Sequence, residues 1–508
     1  MKLLFCASVA LIFLACRQGS SHAGRQGSGE VREPAVEGKF YPDDPAALRG
    51  AIAGYLSDAV PVGPGETVAI VAPHAGYIYS GQVAADAWRQ VAGREIELVV
   101  ILGTNHTTPG FSKVALHPGA GFRTPLGVAT CDLEAADALA AADPDCVFDA
   151  AVHANEHSVE VQVPFAQHLF PKAKILPAIV ASSDPALVDR LGAALGKVLA
   201  GRKAVVVASS DLSHYPSAKD AGEVDRKVLA AAAGLDPAAL RKAIARESAR
   251  GVRGLGTCAC GEAPMAAAMA AARALGATRG TALSYAHSGD TSIGEQDRVV
   301  GYGAVAFAKG ATGTDTDALR EPEIPPDGPL DDATKRALLA FARESIRRYL
   351  ETGTAPLPRS LPPPARRTQG AFVTLTRNGE LRGCIGRIVA DGPLGRTVGA
   401  MALQAAFADN RFAPVSREEL PMLHVEISAL TPMKPVKGPD EIVVGRDGVL
   451  LSKGGRSAVF LPQVATEQGW SRDEMLDHLS RKAGLPAGAW KEGARFSVFQ
   501  AEVFGEGK

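Results

Sequence analysis

A short apolar strand that delivers a histidine is written three times in this chain, and it constrains the fold more than any other feature. Thr67 to Val71 is apolar and β-branched, Pro73 ends the run, and His74 follows with Ala75 and Gly76, small enough to let a ligand approach the backbone. Ile96 to Leu102 runs into Gly103-Thr104-Asn105-His106, and Ala204 to Ala208 runs into Ser209-Ser210-Asp211-Leu212-Ser213-His214. In open α/β sheets ligands sit in the crevice outside the carboxyl ends of the strands, so three strands that each bring a histidine there predict one site. A single such histidine is ordinarily structural; the repetition carries the inference.

Helical periodicity between the strands completes the α/β pattern. It predicts helices over Asp44–Ser57, Gly81–Val91, Leu133–Ala142, Ala154–Leu169 and Asp184–Leu199, with a further strand at Lys174–Val180. The predicted Ala154–Leu169 helix places Glu156, His157 and Glu160 on one face, either beside the histidine cluster or simply solvated. At 508 residues the chain exceeds a single core, and a net charge of −1 gives no basic surface for nucleic acid. Apart from Cys6 and Cys16 the cysteines are Cys131, Cys146, Cys258, Cys260 and Cys384, too sparse and odd in number for a disulfide framework. Cys258 and Cys260 precede a predicted helix at Pro264–Leu275, whose positive end favours thiolate, the metal-binding form.

The strings PHAGYIYSG at 73–81, LGTNH at 102–106, NEHSVEVQVPF at 155–165, SSDLSHY at 209–215 and CGEAP at 260–264, with the ending SGD…VVGYGAVAF, resemble the Memo family over residues 34–309. These are the B proteins of the AmmeMemoRadiSam set. The resemblance implies a layered α/β/α fold related to the class III extradiol dioxygenases, which hold non-haem Fe(II). It also implies metal ligands at His74, His106 and Cys260, with Asp211 and His214 alongside as acid/base groups. A thiolate where the dioxygenases use a carboxylate shifts metal preference toward Cu(I), Zn or an altered iron site, and weakens the expectation of ring cleavage.

After Lys309 the composition changes. Residues 310–330 are rich in Pro, Gly, Thr and Asp and read as a linker that leaves two independently unfolding halves. A helix is predicted from Asp331, a strand at Gly370–Leu375, and a hairpin turn at Asn378-Gly379. The strings FVTLTRNGELRGCIG at 372–386, AAFADNRFAPVSREEL at 405–420, VEISALTP at 425–432 and GVLLSKGGRSAVFLPQVA at 448–465 resemble the AMMECR family, the A proteins of the same set, over 331–508. That resemblance implies a smaller α+β domain without a settled activity. Its motif polar groups are Arg382, Cys384, Asp409, Asn410, Arg411 and Glu426; they suit a small-molecule or peptide cleft with Cys384 as nucleophile, or a structural turn with a buried thiol.

The first 16 residues, MKLLFCASVALIFLAC, are too short for a membrane span and have the size of a signal-peptide core. Their end resembles a bacterial lipoprotein signal, implying lipidation at Cys16, a tether over 17–33, and a membrane anchor that faces the periplasm or cell exterior. Membership of the set implies a radical S-adenosylmethionine protein as functional partner, whose chemistry belongs inside the cell; an exported chain would receive its product, and an unexported one would meet it directly. Three classes of function fit the sequence: a redox enzyme using Fe(II) or Cu, a metal- or peptide-binding module without turnover, and a Zn hydrolase with Asp211 or His214 as base.

Overall fold

The computed structural model describes residues 29–320, 323–389 and 391–507. Cys16 and the expected signal segment lie outside them, as does most of the tether. Nine strands form one sheet: β1 (Glu66–Ala72), β2 (Leu98–Gly103), β3 (Val114–Leu116), β4 (Cys146–Phe148), β5 (Lys174–Val180), β6 (Ala204–Ser209), β7 (Arg279–His287), β8 (Gly301–Lys309) and β9 (Gly313–Asp315). Their order is β9-β7-β8-β1-β6-β2-β5-β3-β4, with β1, β6, β2 and β5 parallel at the centre.

The central strands bury both faces, and alternate residues enter different cores. Val68, Val71, Leu98, Val100, Leu102, Val206 and Ala208 join one core, while Ile70, Val99, Ile101, Val205 and Val207 join the other. Against the second core pack α1 (Pro45–Ser57) and α2 (Tyr77–Arg89); against the first pack α3 (Pro185–Val198), α4 (Ala218–Ala233) and α5 (Glu262–Ala274). The result is the expected α/β/α sandwich. Asp44 caps α1 through the Ala47 amide and Pro45 opens it, the pairing of cap and first-turn proline that starts a helix sharply.

The second half is a separate α+β unit with two small cores. Helices α6 (Asp332–Thr352) and α7 (Leu394–Phe407) cover one face of a sheet of β10 (Ala371–Arg377), β11 (Glu380–Arg387), β12 (Leu423–Leu430) and β13 (Ala501–Gly505), in the order β11-β10-β12-β13. Ala371, Val373 and Leu375 face the helices. Asn378 and Gly379 turn the β10–β11 hairpin with φ of 55° and 86°, the left-handed pair that the dipeptide predicts. A second four-stranded sheet carries the core around Leu451, Leu476 and Phe496.

Two expectations change. The segment read as a linker supplies β9, which pairs in parallel with β7, and Leu319 beyond it is buried in the first core. The halves also touch extensively. Asp86 of α2, fully buried, pairs with Arg359 of the second half at 2.7 Å; Asp58 pairs with Arg348 at 2.8 Å; and the Arg396 guanidinium donates to the Gly294 carbonyl. Leu357 packs against the core beneath α1 and α2. The contact thus combines an apolar side chain with guanidinium groups, of which Arg359 meets a fully buried carboxylate.

Candidate metal centre

The histidine strands end at one edge of the sheet. His74 leaves β1, His106 follows β2, and both sit beside the short helix His157–Glu160. The predicted Ala154–Leu169 helix is broken: Glu156 caps His157–Glu160, and Val163–Leu169 starts anew with Pro164 in its first turn. That break aims His157 at the other two imidazoles. His106 and His157 stack at 4.7 Å, and His74 meets them edge-on at 5.2 and 5.4 Å. One ligand atom from each of His74, His106 and His157 lies within 4.8 Å of the others, so the three could hold a metal ion. Cys260 Sγ lies 3.2 Å from His74 Nε2 but is not one of the three groups whose ligand atoms converge; His157 stands where the resemblance placed Cys260 as third ligand.

Hydrogen bonds decide which ring nitrogens are available. The Ser209 hydroxyl donates to the Ser158 carbonyl at 2.6 Å and accepts from Gln162 Nε2 at 3.0 Å, so its contact with His74 Nδ1 at 3.0 Å is one in which Nδ1–H donates. His106 Nδ1–H likewise donates to Glu156 Oε1 at 2.9 Å. In its neutral form each ring therefore carries its proton on Nδ1 and keeps the Nε2 lone pair, the tautomer that a second partner imposes on a metal-binding histidine. Burial, reinforced by the neighbouring His157 and His106, holds His74 well below the usual histidine range, and burial also lowers His157. Neutral imidazole is the ligating form. Burial followed by the Asp211 charge raises the Cys260 thiol.

Glu156 organises the edge. Burial works against its charge, yet hydrogen bonds from the His106 ring and amide and from the Ser158 amide outweigh that and hold it at about 2. Asp211 Oδ1 accepts from the His74 amide at 2.8 Å and the Ala75 amide at 3.3 Å, so it supports the His74 backbone, and burial raises it. His214 donates Nδ1–H to the Leu212 carbonyl at 2.9 Å and is followed by Tyr215 at φ 77°, a left-handed conformation uncommon outside glycine. Glu160 turns away: its carboxylate binds Arg32 at 2.7 Å, Tyr41 Oη at 2.6 Å and the Ala35 amide at 2.8 Å. It anchors the segment whose Phe40 ring lies 5.0 Å from His157. Cys258 is buried on the other side, 3.3 Å from Ser248 Oγ. The sequence reading gave His157 a supporting role; the signal for more was Pro164, which ends a continuous helix.

In the second half, Arg382, Cys384, Asp409 and Arg411 converge at the β10–β11 hairpin. Asp409 accepts from the Cys384 amide at 2.9 Å and from Arg411 at 2.7 Å, and Arg382 forks onto Glu419 with both distances at 3.0 Å. Thr374 Oγ1 donates to Cys384 Sγ at 3.3 Å, and Glu426 lies opposite Thr374 in register, so Cys384, Thr374 and Glu426 form one cross-strand row. Asn410 is exposed beside it. All five cysteines of the described residues are free.

The sequence profile described as Memo-like protein matches residues 32–306, and that described as AMMECR1 matches 339–504. MEMO1 family protein MK0963 from Methanopyrus kandleri is 38% identical over 293 residues, covering 55% of this chain and 99% of its own. A MEMO1 family protein from Methanosarcina acetivorans is 37% identical, covering 54% and 98%. A solved structure of uncharacterized protein PH0010 from Pyrococcus horikoshii is 39% identical, covering 35% of this chain and 93% of its own, with a TM-score of 0.33. Among the described residues no helix is long and apolar enough to cross a membrane. The chain belongs to the Memo-like protein family and carries an AMMECR1 domain behind its Memo-like half.

Proposed function

We propose that the Memo-like half is a metal-dependent redox enzyme whose ion, Fe(II) or Cu, is held by His74, His106 and Cys260, with His157 as a further donor. The observation that supports it is the pair of bare Nε2 atoms on His74 and His106, each fixed by a partner on Nδ1, facing His157 and the Cys260 thiol. The donor set fits such an ion: neutral imidazoles and a soft sulfur suit Cu, Zn or iron rather than Mg or Ca. When bound, the metal would supply one-electron chemistry toward O2 or a reduced oxygen species. The chain's own residues do the rest. Glu156 orients His106, Asp211 fixes the His74 backbone, and His214, with Nε2 bare, takes or returns a proton. A Zn-hydrolase reading has one observation in its favour, the same bare Nε2 of His214 close to the buried Asp211.

The substrate on this reading is a small molecule or peptide, handed on from or to a radical S-adenosylmethionine protein of the same set, with the anchor at Cys16 placing the chain at a membrane. The AMMECR1 half contributes a second cleft, from Arg382 to Glu426. Metal content of the chain purified anaerobically from its own host tests the reading. Iron or copper near one per chain, with oxygen uptake on re-aeration, supports it; stoichiometric Zn with neither would replace it by the hydrolase reading. Cys260→Asp restores the carboxylate of the dioxygenase-type face and should shift preference from Cu toward Fe(II).

A further inference from the structure

The face that joins the two halves has features of a docking surface rather than of a passive linker contact. Asp86 has no exposed side-chain surface. Within its own half it accepts from the Val60 amide at 3.0 Å and from Ser284 Oγ at 2.5 Å, and its remaining Oδ2 capacity goes to Arg359 Nη1 at 2.7 Å. The arginine arrives from a one-turn helix, Pro358–Ser360, on the surface of the AMMECR1 half. Two more arginines of that half reach across: Arg348 to Asp58, and Arg396, nearly buried, to the Gly294 carbonyl. Charge therefore runs one way, with three guanidinium groups meeting acceptors on the Memo-like half. Backbones approach closely as well; a Cβ added to Gly399 of α7 would sit 2.8 Å from Ser292 Oγ of the Memo-like half. A buried carboxylate left without its arginine is costly, so this surface is complementary to one kind of partner.

The geometry points to an interface that does not need the covalent connection: the Memo-like half recognises an AMMECR1-type domain through Asp86, Asp58 and the 292–294 loop, and holds it when the chain between them is cut. The relatives from Methanopyrus kandleri and Methanosarcina acetivorans are matched over nearly their whole length by the Memo-like half alone, so that half exists elsewhere without the second one attached. Here the equivalent contact is made within one chain, and the partner it fits is a separate AMMECR1-type domain presenting arginines at the positions of Arg359, Arg348 and Arg396. The inference does not depend on the metal or on its chemistry.

The test keeps the whole chain. A protease site is inserted between Pro325 and Gly328, which precede the contact, and the folded protein is cut and analysed by sedimentation over a dilution series. The two fragments should remain one species at about 10 µM, the range of a specific interface. Arg359→Glu in the same background should weaken association about a hundredfold, as expected for an opposed buried charge. Arg472→Glu, at the start of the helix Arg472–Lys482 where it pairs with Asp440 within the AMMECR1 half, should change nothing. Circular dichroism of each separated fragment shows whether Arg359→Glu has merely unfolded its half; Arg359→Gln, which removes the charge and keeps the length, should then give an intermediate loss. Fragments that separate at about 10 µM without any substitution would overturn the inference, as would full association in Arg359→Glu.

Discussion

At the carboxyl edge of the nine-stranded sheet three imidazoles meet, His74 buried, His157 half-buried and His106 more exposed, and Nδ1 of His74 and of His106 is tied down by Ser209 and Glu156. At the β10–β11 hairpin of the second half the buried Asp409 pairs with the half-exposed Arg411, and Arg382 pairs with Glu419. Both clusters collect motif polar groups at strand ends, yet only the first gathers three imidazoles, with a thiol against one of them, and no carboxylate–guanidinium pair among them. An arrangement that consumes its own hydrogen-bonding capacity is stable by itself; one that keeps bare nitrogens and a thiol together gains by taking up a ligand.

The largest effect that would sharpen this contrast is on metal content. His74→Ala or His106→Ala should reduce bound metal to near background by elemental analysis, while Asp409→Ala leaves it intact; equal loss from both halves would erase the distinction. Glu156→Gln comes next. It keeps the donor atoms but loosens the His106 ring, so metal affinity measured by chelator competition should fall about 10- to 100-fold.

A third comparison lies within the Memo-like half. His117 and His153, buried in contact at 5.3 Å, are pushed by burial down to about 4 and about 3. His117 gives neither ring nitrogen a partner among the described residues, and His153 gives only Nε2, to the Ala115 carbonyl at 2.9 Å. Below the unfolded value of 6.5 the unfolded chain binds protons that the native one does not. Stability should thus be complete above that pH and fall as pH drops toward 3, by on the order of 3 kcal/mol for each group. Urea titrations at stepped pH check this, and His117→Gln should flatten the acid limb. Asp225 has the opposite sign: burial raises it from 3.8 to about 7, so the native state keeps a proton that the unfolded one releases, and its contribution declines as pH rises through that window. Asp225→Asn should remove the decline. The smallest effect is expected at Arg411. Its guanidinium is half exposed, and the buried Asp409 keeps the Cys384 amide as a partner, so Arg411→Ala should lower the melting temperature only slightly.

The strands were legible because β-branched runs closed by Pro or Gly leave little choice of conformation, and the hairpin turn at Asn378-Gly379 was legible for the same local reason; His214, at the end of the third strand, falls outside the group of three imidazoles. What escaped depended on partners far along the chain. β9 is three residues of Gly, Thr and Asp, and only pairing with β7 makes it a strand. Glu160 sits three residues from His157, yet it serves Arg32, 128 positions away. The contact between the halves rests on single arginines, Arg359 in a Pro-rich turn and Arg348 and Arg396 on helices, and no periodicity marks which arginines cross.

The distance along the chain between the donors also has a consequence for the order of events as the protein is made. His74 and Cys260 are 186 residues apart, with His106 and His157 between them, and β6 must enter the sheet before Ser209 can fix the His74 ring. A nascent chain holding only the first two histidines therefore has a half-built sheet and ligands free to rotate. If an ion is held as proposed, its tight capture would wait until Cys260 and α5 have docked, late in the synthesis of this half. Premature metal would find scattered imidazoles and hold weakly. On that reading the fold would time its own loading, taking up the ion only once α5 has docked on the central strands.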